Sequence, residues 1–81
     1  MSRITIEAVT DVIGEFVDLS GVSPTERSVL GEDIPLDSRE MLRVISRLEA
    51  LYGGAFSPRD LLSVRTLGDL VDATRRCSGV A

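Results

Sequence analysis

The sequence predicts an all-α fold: a small four-helix bundle with three main helices, a short third helix and a long loop between the first two. Apolar residues recur at helical spacing in separate segments, and capping residues precede them. No segment shows the alternation of apolar and polar residues that marks half-buried strands. With 81 residues the chain has room for one domain, which we assign to residues 1–76, followed by a flexible tail over 77–81.

The first helix is predicted to begin near Thr5 and to end between Asp18 and Gly21. Its apolar stripe consists of Ile6, Val9, Ile13 and Phe16. Residues 18–36 then form a connection that is long for so small a domain. A capping residue, a proline and an acid at Ser23–Glu26 predict one short turn within it.

The start of the second helix has every local signal in place. Asp37 suits the N-cap, and Glu40 completes a capping box with it. Leu36 and Met41 occupy the two positions of a hydrophobic staple. Ser38 is therefore predicted to be the first helical residue, with its hydroxyl exposed at the mouth of the helix. Residues in this pattern most often only cap a helix, so the motifs elsewhere in the chain decide whether Ser38 also has a function.

The body of the second helix carries two stripes. Arg39, Arg43 and Arg47 recur every four residues and line one exposed face, which is either simply solvated or a binding strip. The core stripe is predicted to contain Met41, Ile45, Leu48 and either Leu51 or Tyr52, widened by Leu42 and Val44. The glycines at positions 53 and 54 should end this helix at about residue 52.

Two further helices repeat the capping pattern. Ser57–Asp60 opens a short third helix, and Thr66–Asp69 opens a fourth. Phe56, between the second and third helices, is predicted to plug the core. The inner face of the fourth helix is predicted to contain Leu67, Leu70, Val71 and Thr74.

Composition narrows the possible functions. A net charge of −4 argues against nucleic acid as a partner, and no apolar run is long enough to span a membrane. No secretion signal is visible, so we expect a cytoplasmic protein. The absence of His removes the commonest general base and metal ligand, and Cys77 has no activating neighbour. We therefore expect neither a metal site nor an enzyme.

The order of these motifs resembles the acyl and peptidyl carrier protein family. The resemblance rests on DIPLDS at 33–38, LE at 48–49, FSP at 56–58 and TLGDL at 66–70, and it covers nearly the whole chain. Two flanking positions depart from the family pattern: Pro35 stands where Gly is usual, and Arg39 where Leu is usual. These departures leave open which partner enzymes act on the protein.

The resemblance implies a carrier and not a catalyst. Ser38 would receive 4′-phosphopantetheine from coenzyme A through a phosphopantetheinyl transferase, and the distal thiol would hold an acyl or aminoacyl group as a thioester. Further partners would be acyltransferase, ketosynthase or adenylation-type loading enzymes acting on a free-standing monomer. The predicted partner-recognition residues are Asp37, Arg39, Glu40, Met41, Arg43 and Arg47. The predicted cargo pocket contains Leu42, Ile45 and Leu62, each of which could instead be ordinary core.

Three interpretations remain at this point. The arginine row replaces the acidic helix face typical of the family's fatty-acid members, which favours polyketide or nonribosomal peptide synthesis. A carrier of fatty-acid synthesis is the first alternative. The second is a helical interaction module with the carrier fold but no prosthetic group, in which Ser38 only starts a helix.

Overall fold

The computed structural model describes residues 4–78, which form four helices. They are α1 (Ile6–Gly14), α2 (Ser38–Tyr52), α3 (Pro58–Ser63) and α4 (Leu67–Ser78). Over these residues, β structure is limited to two isolated bridges, Val29 with Thr66 and Leu30 with Ile34. The predicted all-α bundle with a short third helix is therefore confirmed.

The core lies where α1, α2 and α4 meet. Its fully buried side chains include Val9, Ile13, Val44, Leu48, Leu67 and Leu70. The predicted inner face of α4 is confirmed, and the hydroxyl of Thr74 donates to the Leu70 carbonyl at 2.7 Å, so this buried polar group is satisfied. Phe56 is buried as predicted, whereas α3 contributes no buried residue.

The core stripe of α2 is narrower than predicted. Val44, Ile45 and Leu48 are buried, and Met41 and Tyr52 pack against the core from its edge. Of the predicted alternatives, Tyr52 and not Leu51 belongs to the stripe, since Leu51 is 46% exposed. Leu42 is 61% exposed, so its inclusion in the core was wrong.

Helix α1 ends earlier than the predicted Asp18–Gly21. It starts as expected, with the hydroxyl of Thr5 accepting from the Ala8 N–H at 3.1 Å. At the other end, the N–H groups of Glu15 and Phe16 donate to carbonyls only three residues back, at 3.1 and 3.0 Å. This tighter turn takes the chain off the helix axis after Gly14.

The long connection between α1 and α2 is anchored to the rest of the fold. Ile34 is fully buried, and the N–H of Leu30 donates to the Arg65 carbonyl at 2.9 Å. The predicted short turn appears slightly later than expected, where the Ser28 N–H donates to the Thr25 carbonyl at 3.0 Å. The loop is therefore a structural part of the bundle.

Two adjacent glycines end α2 and bring the chain against α4. Gly53 adopts a left-handed conformation, with φ at 74°, and its N–H donates to the Glu49 carbonyl at 2.8 Å. Gly54 lies directly against the backbone of Cys77 and Ser78. Because α4 includes these last two residues, the predicted tail at 77–81 begins too early; residues 79–81 lie outside the described part of the chain.

None of the helices within residues 4–78 has the length and apolar character needed to cross a bilayer.

Candidate functional site

The start of α2 is held by the predicted capping box. The Asp37 carboxylate accepts from the Glu40 N–H at 2.7 Å, and the Glu40 carboxylate accepts from the Asp37 N–H at 3.0 Å. Asp37 itself has extended backbone, so the helix begins abruptly at Ser38. Leu36 and Met41, the predicted staple, both pack on the core side of this junction. The cap thus fixes where the Ser38 hydroxyl stands.

Ser38 is exposed at the positive end of the α2 dipole. The N–H groups of Ser38 and Arg39 lie in the first turn, where no helical carbonyl is in position to accept a hydrogen bond from them. They therefore remain available to an anion. No histidine occurs in the sequence to take the hydroxyl proton. The Ser38 hydroxyl therefore has no imidazole to activate it as a nucleophile, and it is open to other molecules.

An apolar groove lies beside this hydroxyl, which we call the serine groove. It has a volume of about 330 Å³ and is lined by Ser38, Met41, Leu42, Ile45, Leu61 and Val64. The hydroxyl of Ser38 stands among side chains that could cover a hydrocarbon chain, so the arrangement can hold an apolar group near this oxygen.

Two of the three predicted cargo residues line this groove, and the third does not. Leu42 and Ile45 are among its walls, but Leu62 is 87% exposed and lies outside it. Leu61 takes the place predicted for Leu62, since neighbouring residues on a helix point about 100° apart and Leu61 faces the bundle. Val64, just beyond α3, was not foreseen from sequence. The apolar pair Leu61–Leu62 was the available signal, but it did not say which member faces inward.

The six predicted partner-recognition residues lie at the cap of α2 or in its first three turns, and their environments differ. Asp37 and Glu40 are engaged with each other in the capping box, and Met41 is half-buried in the serine groove. Arg39 is exposed in the first turn of α2, close to Ser38 along the chain.

The remaining two arginines line a second groove, which we call the arginine groove. It has a volume of about 450 Å³ and is lined by Phe16, Leu42, Arg43, Ser46, Arg47 and Ala50. Arg47 Nε donates to Glu15 Oε1 at 3.1 Å, which ties α2 to the end of α1. Sequence reasoning placed Phe16 in the core stripe of α1 and gave no signal for a groove there.

The single thiol is unsuited to chemistry. Burial first, and then the nearby carboxylates of Glu49 and Asp60, raise the pKa of Cys77 above its usual value. At neutral pH the thiol is protonated and therefore a poor nucleophile. Between residues 4 and 78, no three potential ligands gather in a way that could hold a metal ion.

Comparison with known proteins agrees with this geometry. The sequence model of the family described as "Phosphopantetheine attachment site" matches residues 7–74, which is most of the chain. The chain is also 31% identical over 71 residues to an acyl carrier protein of Rhodococcus erythropolis, an alignment that covers 83% of this chain and 78% of that protein.

Both findings agree with the motif order and with a capped helix that begins at an exposed serine. Proteins of this kind carry groups for other enzymes and catalyse no reaction themselves. They interact with a phosphopantetheinyl transferase and with biosynthetic enzymes. The chain belongs to the acyl and peptidyl carrier protein family and is a carrier that works through a 4′-phosphopantetheine group.

Proposed function

We propose that Ser38 is the residue that carries 4′-phosphopantetheine, and that the protein delivers acyl or aminoacyl thioesters to the enzymes of a specialised biosynthetic pathway. The observation that carries this proposal is the position of the Ser38 hydroxyl. It is exposed, belongs to the first residue of a capped helix, and borders an apolar groove. Exposure allows the hydroxyl to be modified, the start of the helix stabilises the negative charge of a phosphate, and the groove can cover the carried group.

The residues around Ser38 fit the group. The Ser38 Oγ would supply the oxygen of a phosphoester, and the N–H groups of Ser38 and Arg39 at the start of the helix would stabilise its negative charge. The Asp37 carboxylate accepts a short hydrogen bond from the Glu40 N–H and so serves as the N-cap of α2. When bound, the group supplies a thiol that holds the carried acyl or aminoacyl group as a thioester.

The serine groove gives the carried chain an apolar surface. Leu42, Ile45 and Leu61 line it next to Ser38, and they are exposed to different degrees, from mostly exposed Leu42 to buried Ile45. Covering their free surface with hydrocarbon removes apolar area from water, which favours a chain lying in the groove.

The exposed arginines of α2 support a specialised pathway, either polyketide or nonribosomal peptide synthesis. Arg39 and Arg43 point outward on the helix that starts at Ser38, so partner enzymes meet cations at this surface. A carrier of fatty-acid synthesis is the alternative, which the similarity to a bacterial acyl carrier protein favours equally. Release of the thioester-bound group from the native protein, followed by mass spectrometry, separates the two. A polyketide intermediate or an aminoacyl group supports the first, and a saturated fatty acyl chain supports the second.

Modification of Ser38 is tested by intact mass after incubation with coenzyme A and a broad-specificity phosphopantetheinyl transferase. We expect the wild type to gain one phosphopantetheine group and Ser38→Ala to gain none. Ser46→Ala is the matched control, because Ser46 is exposed on the same helix but lies two turns further on. It should be modified like the wild type.

Two outcomes would count against the proposal. An unmodified wild type with an intact helical spectrum would support the interaction module, in which Ser38 merely begins a helix. Modification that persists in Ser38→Ala would place the group on another residue.

A further inference from the structure

We propose that the guanidinium of Arg39 binds the phosphate of the group attached to Ser38 and so positions the base of the arm at the mouth of α2. This inference rests on the proposed attachment of the group to Ser38. It makes Arg39 a positioning residue that acts on the carrier's own prosthetic group. It also gives a role to one of the two positions at which the chain departs from the family pattern.

The phosphate joins an acidic stretch of the chain. Residues 28–42 contain four acids and a single base, which is Arg39. The four acids are Glu32, Asp33, Asp37 and Glu40. A phosphodiester on Ser38 adds one more negative charge directly beside Asp37, and like charges at short distance repel each other. Within this stretch, only the Arg39 side chain carries a charge that can offset the phosphate.

The position of Arg39 in α2 brings its side chain within reach of a phosphate on Ser38. The Cα atoms of adjacent residues are about 3.8 Å apart, which is less than the length of an extended arginine side chain. The Cα–Cβ bonds of a helix tilt toward its N-terminus, so the side chain of the second helical residue leans toward the mouth of α2. A phosphate on the Ser38 Oγ stands at this same mouth.

The other side chains around Ser38 offer an anion nothing. Met41 and Leu42 follow Ser38 by three and four residues, so they share its face of the helix, and both are apolar walls of the serine groove. Asp37 precedes Ser38, and its carboxylate is fixed in the cap by the Glu40 N–H at 2.7 Å. The phosphate is therefore repelled on the Asp37 side and attracted on the Arg39 side.

The Arg39 side chain is available for this contact. It is exposed, and the three ion pairs within residues 4–78 all involve other arginines. Several of those other arginines are exposed as well, so position and not exposure singles out Arg39. Arg43, for example, lines the arginine groove and starts about 6 Å further along the helix axis.

A guanidinium suits a phosphate because its planar N–H donors can make two parallel hydrogen bonds to two phosphate oxygens. The contact is open to water, so its contribution is that of a surface ion pair and favours the bound arrangement by about threefold. Holding the phosphate restricts the directions in which the arm can leave the helix, and it lowers the negative charge that a partner enzyme meets at Ser38.

The test compares the apo-protein with the holo-protein, made with coenzyme A and a phosphopantetheinyl transferase, by nuclear magnetic resonance. We expect the guanidinium N–H resonances of Arg39 to shift on loading and their hydrogen exchange to slow about threefold, because a bound N–H exchanges only when the contact opens. Arg43 is the control within the same spectra, and its guanidinium should not change. At about 1 M salt, where the screening length is about 3 Å, the slowing at Arg39 should be largely lost.

Substitutions then identify the phosphate as the partner of Arg39. In holo Arg39→Leu, which restores the residue usual in the family, the phosphorus resonance should move toward its position in the urea-unfolded protein. In holo Arg43→Leu, the matched control on the same helix, it should stay at the wild-type position. Arg39→Lys keeps the charge but not the planar donors, so it should recover part of the difference.

Intact mass is measured first, and a wild type that gains no phosphopantetheine on Ser38 would overturn the proposed function itself. With the holo-protein in hand, two results would overturn the contact alone. They are equal hydrogen exchange of the Arg39 guanidinium before and after loading, and the same phosphorus resonance in the wild type and Arg39→Leu. The first comparison needs only the wild type, so it decides the matter even where the transferase does not modify Arg39→Leu.

Discussion

Gly54 shows that a missing side chain can decide how two helices meet. A Cβ at this position would overlap the carbonyl of Cys77 and lie 2.9 Å from the Ser78 Cα, so only glycine permits the contact. Its neighbour Gly53 is needed for another reason. It has φ at 74°, but a Cβ there would meet nothing within 4 Å. The sequence pair Gly-Gly predicted the end of α2, whereas the contact with α4 depends on a residue far along the chain.

We expect Gly54→Ala to lower the free energy of unfolding by about 2 kcal/mol, because the backbone of α4 must move to make room. Urea denaturation followed by circular dichroism measures this. Gly14→Ala is the matched control, since a Cβ there would lie 3.7 Å from Leu19 Cδ1, an ordinary contact. In a helix it should be neutral or stabilising by up to about 1 kcal/mol. Equal stability of Gly54→Ala and the wild type would contradict the described contact.

At the scale of single elements, α4 is started by a reciprocal pair of hydrogen bonds. The Thr66 hydroxyl accepts from the Asp69 N–H at 3.1 Å, and the Asp69 carboxylate accepts from the Thr66 and Arg65 N–H groups, also at 3.1 Å. These backbone bonds, that from Thr66 first and that from Arg65 next, hold the pKa of Asp69 below its usual value. The folded protein therefore prefers this carboxyl ionised.

Acidification should consequently weaken the start of α4. A carboxyl with a lowered pKa in the folded state stabilises fully above its unfolded pKa of about 4, and this contribution is lost as the pH falls through the lower folded value. We expect the free energy of unfolding to decrease below about pH 4, with a shallower decrease in Asp69→Asn. Asp11→Asn, exposed on α1, is the control and should keep the slope of the wild type. Identical slopes for the two variants would refute this account.

The sequence predicted those elements whose boundaries depend on neighbours in the chain. The predicted bounds of α2 agree with the structure because Asp37 and Glu40 start the helix and Gly53 ends it. Local signals were weaker at the end of α1, where the chain tightens after Gly14 before any obvious stop residue. They also could not orient α3, because six residues give too little periodicity to show that Leu62 faces outward.

At the scale of the whole molecule, the long loop works as part of the core. Ile34 is fully buried between the loop and the helices, and the N–H groups of Leu67 and Gly68 donate to the Ser28 and Glu26 carbonyls, both at 2.9 Å. Loop and α4 therefore share hydrogen bonds as well as apolar contacts. We expect them to unfold together.

Ile34→Ala tests this cooperation. Truncation should lower the free energy of unfolding by about 3 kcal/mol, because it leaves a cavity in a fully buried site. Helix content and the hydrogen-exchange protection of the Leu30 amide in the loop should be lost at the same urea concentration. Leu62→Ala, at a side chain 87% exposed, is the control and should stay within about 0.5 kcal/mol of the wild type. Two separate transitions in Ile34→Ala would show that the loop unfolds independently.

Only part of the candidate site could be predicted from the sequence, for a related reason. Ser38 could be located from its cap, since every signal lies within a few residues of it. The serine groove was predicted in part, through Leu42 and Ile45, but with Leu62 in place of Leu61. The arginine groove was not, because Phe16 reaches α2 from a segment distant in sequence. Tertiary packing creates these surfaces, and no local pattern encodes them.

Leu42 belongs to the walls of both grooves. Because its side chain is 61% exposed, it has room to change rotamer, and any such change alters the shape of the serine groove and of the arginine groove together. A substitution at Leu42 therefore never reports on one groove alone.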